Sequence, residues 1–124
     1  MLSRSYKDLV VWQKSIEFVE LIYDVTEQLP REELYGLSSQ IRRAAISVPS
    51  NIAEGQRRKN VKEFIQFLYI ADGSLAEVET QLIIIRRRYK KEVSDILDLV
   101  GEIQKMLYSL IKIFSSKIKA NCKN

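Results

Sequence analysis

Between Val93 and Phe114 apolar residues fall at Val93, Ile96, Val100, Ile103, Leu107, Leu110 and Phe114, in alternating steps of three and four. Such a period puts one apolar stripe along a helix, and no strand can gather it on a single side. The stripe must be buried against other elements, so a chain of this size is expected to surround it with further helices. Two prolines and four glycines among 124 residues are too few for the many turns of an all-β sandwich.

Three more helical segments precede this one. The first runs from about Asp8 to Leu29, with Leu9, Trp12, Ile16, Val19, Ile22, Val25 and Leu29 as its apolar face, and Pro30 interrupts it. The second covers about Tyr35 to Gln56. Pro49 lies inside it, removing the bond to the Ala45 carbonyl, and predicts a kink. Asn60 is a good N-cap, with Glu63 three residues later to complete a capping box, so the third helix starts near Val61. Phe64, Leu68, Ala71, Leu75, Val78, Leu82 and Ile85 carry it to about Arg88, a length of ~42 Å. The fourth extends from about Glu92 to Ile118. Short connections make successive helices antiparallel, which predicts one all-α, up-down-up-down four-helix bundle spanning residues 1–124. A chain this long hides ~65 to 70% of its unfolded surface, so the core needs no disulfide or metal.

Apolar residues exceed what these faces require. Leu99, Met106 and Ile113 recur in sevens beside the fourth seam, as do Leu97, Ile111 and Ile118 with Gln104 interrupting, and the first helix adds Val11, Phe18 and Leu21. Two readings stand. The surplus either covers an interface with another copy of the chain, or widens the core face of a helix wedged between neighbours.

Several chemistries are disfavoured. There is no histidine, so the usual base near neutral pH and the His-dependent nucleophile systems are missing, as is the Glu-x-x-His pair of di-iron bundles. The glycines are isolated, leaving no phosphate loop. Glu77 and Glu79, two apart on a helix, point to different sides. No enzyme, cofactor or metal site is expected. Cys122, the single cysteine, lies in a polar tail and is read as incidental. The N-terminal MLSRSYKDLVVW lacks the apolar run of a secretory signal, and no stretch is long enough to span a membrane, which predicts a cytoplasmic protein.

The remaining polar features concern charge. Folding the second helix on the third about the turn near Arg58 sets Arg42 and Arg43 beside Ser74 and Glu77. An arginine–glutamate bridge is the leading expectation, and an arginine facing outward to meet phosphate is the alternative. Asn51 and Glu54 fall opposite Gln66 and Glu63, a polar layer fixing register. Two basic clusters occupy opposite ends of the bundle: Arg57, Arg58, Lys59 and Lys62 at one, Arg86, Arg87, Arg88, Lys90 and Lys91 at the other. They are either solvated helix ends or phosphate contacts, with Tyr89 placed to stack on an unpaired base. A net charge of +4 and a pI near 9.2 agree with an anionic partner.

The stretches YKDLVVWQKSIE at Tyr6 to Glu17, YGLSSQIRRAAISVPSNIAEG at Tyr35 to Gly55 and EFIQFLYIADGSLAEVETQL at Glu63 to Leu82 resemble a bacterial family named for proteins encoded in intervening sequences of 23S rRNA genes. The fourth helix follows only its heptad character. The resemblance implies a bundle assembled into a ring, typically a homopentamer, and contact with structured RNA. Related bundles look like the accessory proteins of diversity-generating retroelements, basic pentameric barrels that bind a reverse transcriptase and nucleic acid. Five such chains would carry roughly +20. The expectation is a non-catalytic, homo-oligomeric scaffold for structured RNA or DNA, and its rival is a protein-interaction adaptor that recruits a reverse transcriptase.

Overall fold

The computed structural model describes residues 5–122; Met1 to Arg4, at the head of the stretch read for a signal, and the Cys122 side chain lie outside what it describes. Among the described residues there are no strands. A 3-10 turn, Tyr6–Asp8, leads into α1 (Val10–Thr26), a second turn, Arg31–Glu33, into α2 (Leu37–Gln56), and α3 (Val61–Tyr89) and α4 (Ser94–Cys122) follow. Helices α1 and α3 each pack against both α2 and α4, the arrangement of an up-down-up-down four-helix bundle.

Helix ends form for local reasons. Asn60 Oδ1 accepts from the Lys62 and Glu63 amides at 2.8 and 3.3 Å, holding the first turn of α3. Glu92 Oε1 accepts from the Ser94 amide at 2.8 Å at the start of α4, a bond that holds its pKa below the ordinary carboxylate value. At the far end of α3, Lys90 adopts φ 57°, the left-handed conformation that closes a helix and favours glycine. Helix α2 keeps its helical assignment through Pro49, which is buried.

The apolar series of α3 is confirmed, and that of α4 is confirmed except at Leu110, which is half-buried against the core. Phe64, Leu68, Ala71, Leu75, Val78, Leu82 and Ile85 are all buried, as are Val93, Ile96, Val100, Ile103, Leu107 and Phe114, and Phe64 meets Phe114 edge-on with centroids 5.4 Å apart.

Helix α1 turns otherwise. Its buried side carries Val11, Ser15, Phe18, Ile22, Val25 and Thr26, while Ile16 is 37% exposed and Trp12 and Val19 only border the core. Two overlapping series compete in this segment, and a polar residue hid the one that is used. Ser15 is tolerated inside because its hydroxyl donates to the Val11 carbonyl at 2.7 Å. Trp12 instead packs at the periphery, edge-on to Tyr6 at 5.3 Å.

Most of the surplus apolar surface is absorbed in the same way. Val11, Phe18, Leu99 and Ile111 are core residues, and Leu21, Leu97, Met106 and Ile118 are half-buried against it, leaving Ile113 outside at 52% exposure. The wide-core reading therefore holds for these two helices.

Helices α2 and α3 lie close together at Gly55. A Cβ there would lie 2.6 Å from Phe67 Cβ and 3.0 Å from Phe64 Cδ1, whereas one on Gly73 meets nothing within 4 Å. Gly55→Ala is expected to destabilise the bundle by ~1 to 3 kcal/mol through overpacking. Gly73→Ala should stabilise it by ~0.5 to 1 kcal/mol by restricting the unfolded chain. Urea unfolding of the two variants measures the contrast, and equal shifts would contradict the close approach.

Candidate nucleic-acid interface

The two basic clusters are set by the ends of α3, whose 29 residues span ~43 Å. At the N-terminal end Arg57, Arg58, Lys59 and Lys62 are all exposed. Arg58 is already engaged: its Nη2 lies 2.9 Å from Glu54 Oε2, one turn back, and its guanidinium stands over the Phe67 ring at 5.0 Å. Arg57, Lys59 and Lys62 form no ion pair among the described residues.

At the other end Arg86, Arg87 and Arg88 are exposed and likewise unpaired with any carboxylate among the described residues. Lys90 Nζ donates to the Arg87 carbonyl at 3.0 Å, and Lys91 is half-buried. Arg88 bonds to the neighbouring Tyr89 side chain, yet none of the three is neutralised in an ion pair, so the cluster keeps its charge as three planar guanidinium groups suited to phosphate oxygens.

Tyr89 does not stand free beside them. Its hydroxyl donates to Glu33 Oε2, while Glu33 Oε1 accepts from the Leu37 amide at 3.3 Å at the start of α2. One carboxylate thus ties the end of α3 to the beginning of α2, and Tyr89 is half-buried in that joint instead of being offered to a base.

The other polar expectations need correction. Arg42 points at α1, not α3: its Nε donates to Thr26 Oγ1 at 2.8 Å and its guanidinium covers the Tyr23 ring at 4.5 Å. Thr26 is buried and in turn donates to the Ile22 carbonyl at 2.7 Å, so Arg42 completes a chain of satisfied groups without a carboxylate. Arg43 is exposed and makes no bridge to Glu77, although both line one groove between α2 and α3.

The expected layer of Asn51 and Glu54 against Gln66 and Glu63 is replaced by another. Asn51 Nδ2 donates to the Ser47 carbonyl at 2.7 Å and to Ser47 Oγ at 2.9 Å, and the Ser47 and Ser74 hydroxyls are 2.7 Å apart. The hairpin is shifted by about one turn, because the first turn of α3 overhangs the end of α2 and Ser47, not Arg43, comes level with Ser74. Tyr35, Ser39, Gln40 and Ser47, which line the groove with Arg43, Ser74 and Glu77, were missed in the sequence. Their signal was the spacing of Ser39, Arg43 and Ser47 by four, a polar flank on a helix of small and apolar residues.

A further apolar surface appears where none was expected. On the outer side of α3, Tyr69, Ile70, Ile83 and Ile84 are 57, 50, 36 and 46% exposed, with Gly73, Ala76 and Thr80 between them. Across the molecule Leu9, Val10, Met106 and Leu110 line a groove of about 350 Å³ between α1 and α4. Among the described residues no group of three His, Cys, Asp or Glu side chains is placed to hold a metal, and no helix is long and apolar enough to cross a membrane.

The fold and these surfaces define a basic four-helix bundle. The family model for 23S rRNA-intervening sequence proteins matches residues 7–109, and the chain belongs to that family. It is also similar to a protein of unknown function from the S23 ribosomal protein family of Bacteroides thetaiotaomicron VPI-5482, whose crystal structure was determined at 1.70 Å. The two share 30% identity and a TM-score of 0.76 over 83% of this chain and 99% of that one. No curated protein matches.

The Tyr89–Glu33 bond raises the phenol pKa above its ordinary 10.0, because the neighbouring carboxylate disfavours the phenolate. A raised folded value means that the stabilisation is complete below about pH 10 and is lost as pH climbs through the raised value. Tyr89→Phe should lower the thermal unfolding midpoint at pH 7, and the gap from the wild type should close above pH 10. A gap that stays constant across this range would deny the bond.

Proposed function

We propose that this chain is a non-catalytic, cytoplasmic, homo-oligomeric scaffold, a pentameric ring in the reading that the sequence resemblance implies, that binds structured RNA or DNA. The observation that carries the proposal is the row of exposed arginines, Arg86, Arg87 and Arg88, none of them in an ion pair among the described residues, at one end of the bundle. Arg57, Lys59, Lys62, Lys90 and Lys91 extend the phosphate contacts. Such contacts fix position on the backbone and carry no base specificity of their own.

Assembly is supported by the apolar outer side of α3, where one acidic residue, Glu77, is the only charge among the exposed positions from Tyr69 to Ile84. Pooling the charge of several protomers raises the local field felt by phosphate. The same apolar side favours the second reading, in which the protein is an adaptor that seats a partner such as a reverse transcriptase, in the manner of the accessory proteins of diversity-generating retroelements.

Binding of a structured RNA measured across a salt series separates the two. Phosphate-dominated association falls linearly in log salt, and Arg86→Ala, Arg87→Ala and Arg88→Ala together should cut the slope by about 2 to 3. A slope unchanged by the triple variant would remove this cluster from the interface, and absence of binding favours the adaptor. Light scattering addresses assembly: Ile83→Glu should convert a multimer into single chains, and a wild type that is already monomeric at micromolar concentration contradicts the ring.

A further inference from the structure

The groove between α2 and α3 is lined almost wholly by polar side chains, unlike the apolar groove between α1 and α4. It encloses about 510 Å³, within the range of small-ligand sites, and all its lining side chains but Ala44 are polar. Arg43 projects into it from α2, exposed and without an ion pair, although the Glu77 carboxylate lines the same groove. At the rim the Tyr35 ring is 90% exposed, so the core makes almost no use of it. The floor is fixed by the Ser47–Ser74 hydroxyl pair, with Asn51 bonded behind it.

We propose that this groove holds one unpaired nucleotide of the bound nucleic acid, with its phosphate on Arg43, its base stacked on Tyr35 and the base edge read by Glu77, Gln40 and the serine hydroxyls. The inference rests on the nucleic-acid reading above and adds a site that the basic clusters do not supply. A cation and an anion facing one cavity suit a ligand that carries an anionic group and N–H donors together. A nucleotide does so, offering phosphate to the guanidinium and amino or imino hydrogens to the carboxylate. An acidic peptide would bring carboxylates against Glu77.

Placement along α3 agrees. Ser74, Gln81 and Arg88 succeed one another in sevens on the flank that faces α2, a distance of ~21 Å by helical rise. Gln81 is 7% exposed, and its Oε1 is buried with no hydrogen-bond partner, an acceptor held in the same seam. The flank ends in the exposed arginines, so a strand gripped at Arg88 continues towards the groove.

The test uses the full chain and three probes: a stem-loop RNA with a single-stranded loop, the same stem as a blunt duplex, and the DNA counterpart of the stem-loop. Anisotropy titrations at one salt concentration compare the wild type with Arg43→Ala and Tyr35→Ala, two exposed positions whose variants are checked by thermal melting. Each substitution should weaken stem-loop binding about tenfold and change duplex binding less than twofold. A larger loss on RNA than on DNA assigns part of the contact to the 2′-hydroxyl, and equal loss assigns it to phosphate and base alone. The proposal is overturned by wild-type stem-loop affinity in both variants, by losses of the same size on duplex and loop, or by an acidic phosphopeptide that binds in an Arg43-dependent way. Stem-loop binding that persists in both variants but falls with Arg86, Arg87 and Arg88 replaced by alanine defeats the groove and leaves the scaffold reading intact. Failure of the wild type to bind any probe defeats both.

Discussion

The close packing of α2 on α3 is the constraint on which the rest of the molecule depends. Gly55 allows the two backbones to approach where any larger side chain would strike Phe67 and Phe64. Ser47 and Ser74 then share a hydrogen bond across the pair, and Asn51 locks the serine on the α2 side. A half-buried polar pair is cheap only when each member finds its partner, so the bond fixes the height of one helix against the other. Every other placement follows, including which side chains face each other across the α2–α3 groove.

Charge is distributed by the same scaffold. An antiparallel hairpin with a long second helix sends its two turns to opposite ends, and basic residues gathered near turns are therefore ~43 Å apart instead of pooled. Within a protomer each end keeps its own cluster. Arg58 is neutralised locally by Glu54, whereas the arginines at the end of α3 are in no ion pair among the described residues. Tyr89 is withdrawn into a joint with Glu33, which rigidifies the end of the bundle that carries them.

Much of the architecture was legible because the code for it is redundant. In α3 and α4 nearly every core position is apolar and the series steps by three or four, so one register dominates despite the buried Gln81, and Asn60 announces the start of α3 by its capping chemistry. The face of α1 was misread for the opposite reason. Ser15 and Thr26 look like surface residues in a list of hydrophobicities, yet both bond to their own helix and can be buried. The partner of Arg42 was equally hidden, since Thr26 lies on a different helix and becomes a neighbour only when α1 and α2 are docked.

By itself the sequence determined the number of helices, the buried faces of the last two, and the positions of the basic turns, because periodicity and capping act within a few residues of chain. Only the tertiary structure decided the face of α1, the fate of Arg42 and Tyr89, the one-turn offset of the central hairpin, and hence the polar groove beside Arg43. Those outcomes depend on side chains far apart in the chain competing for a small number of satisfied positions. That competition has no local signature, since each contender is acceptable to its own helix and is chosen by what packs against it.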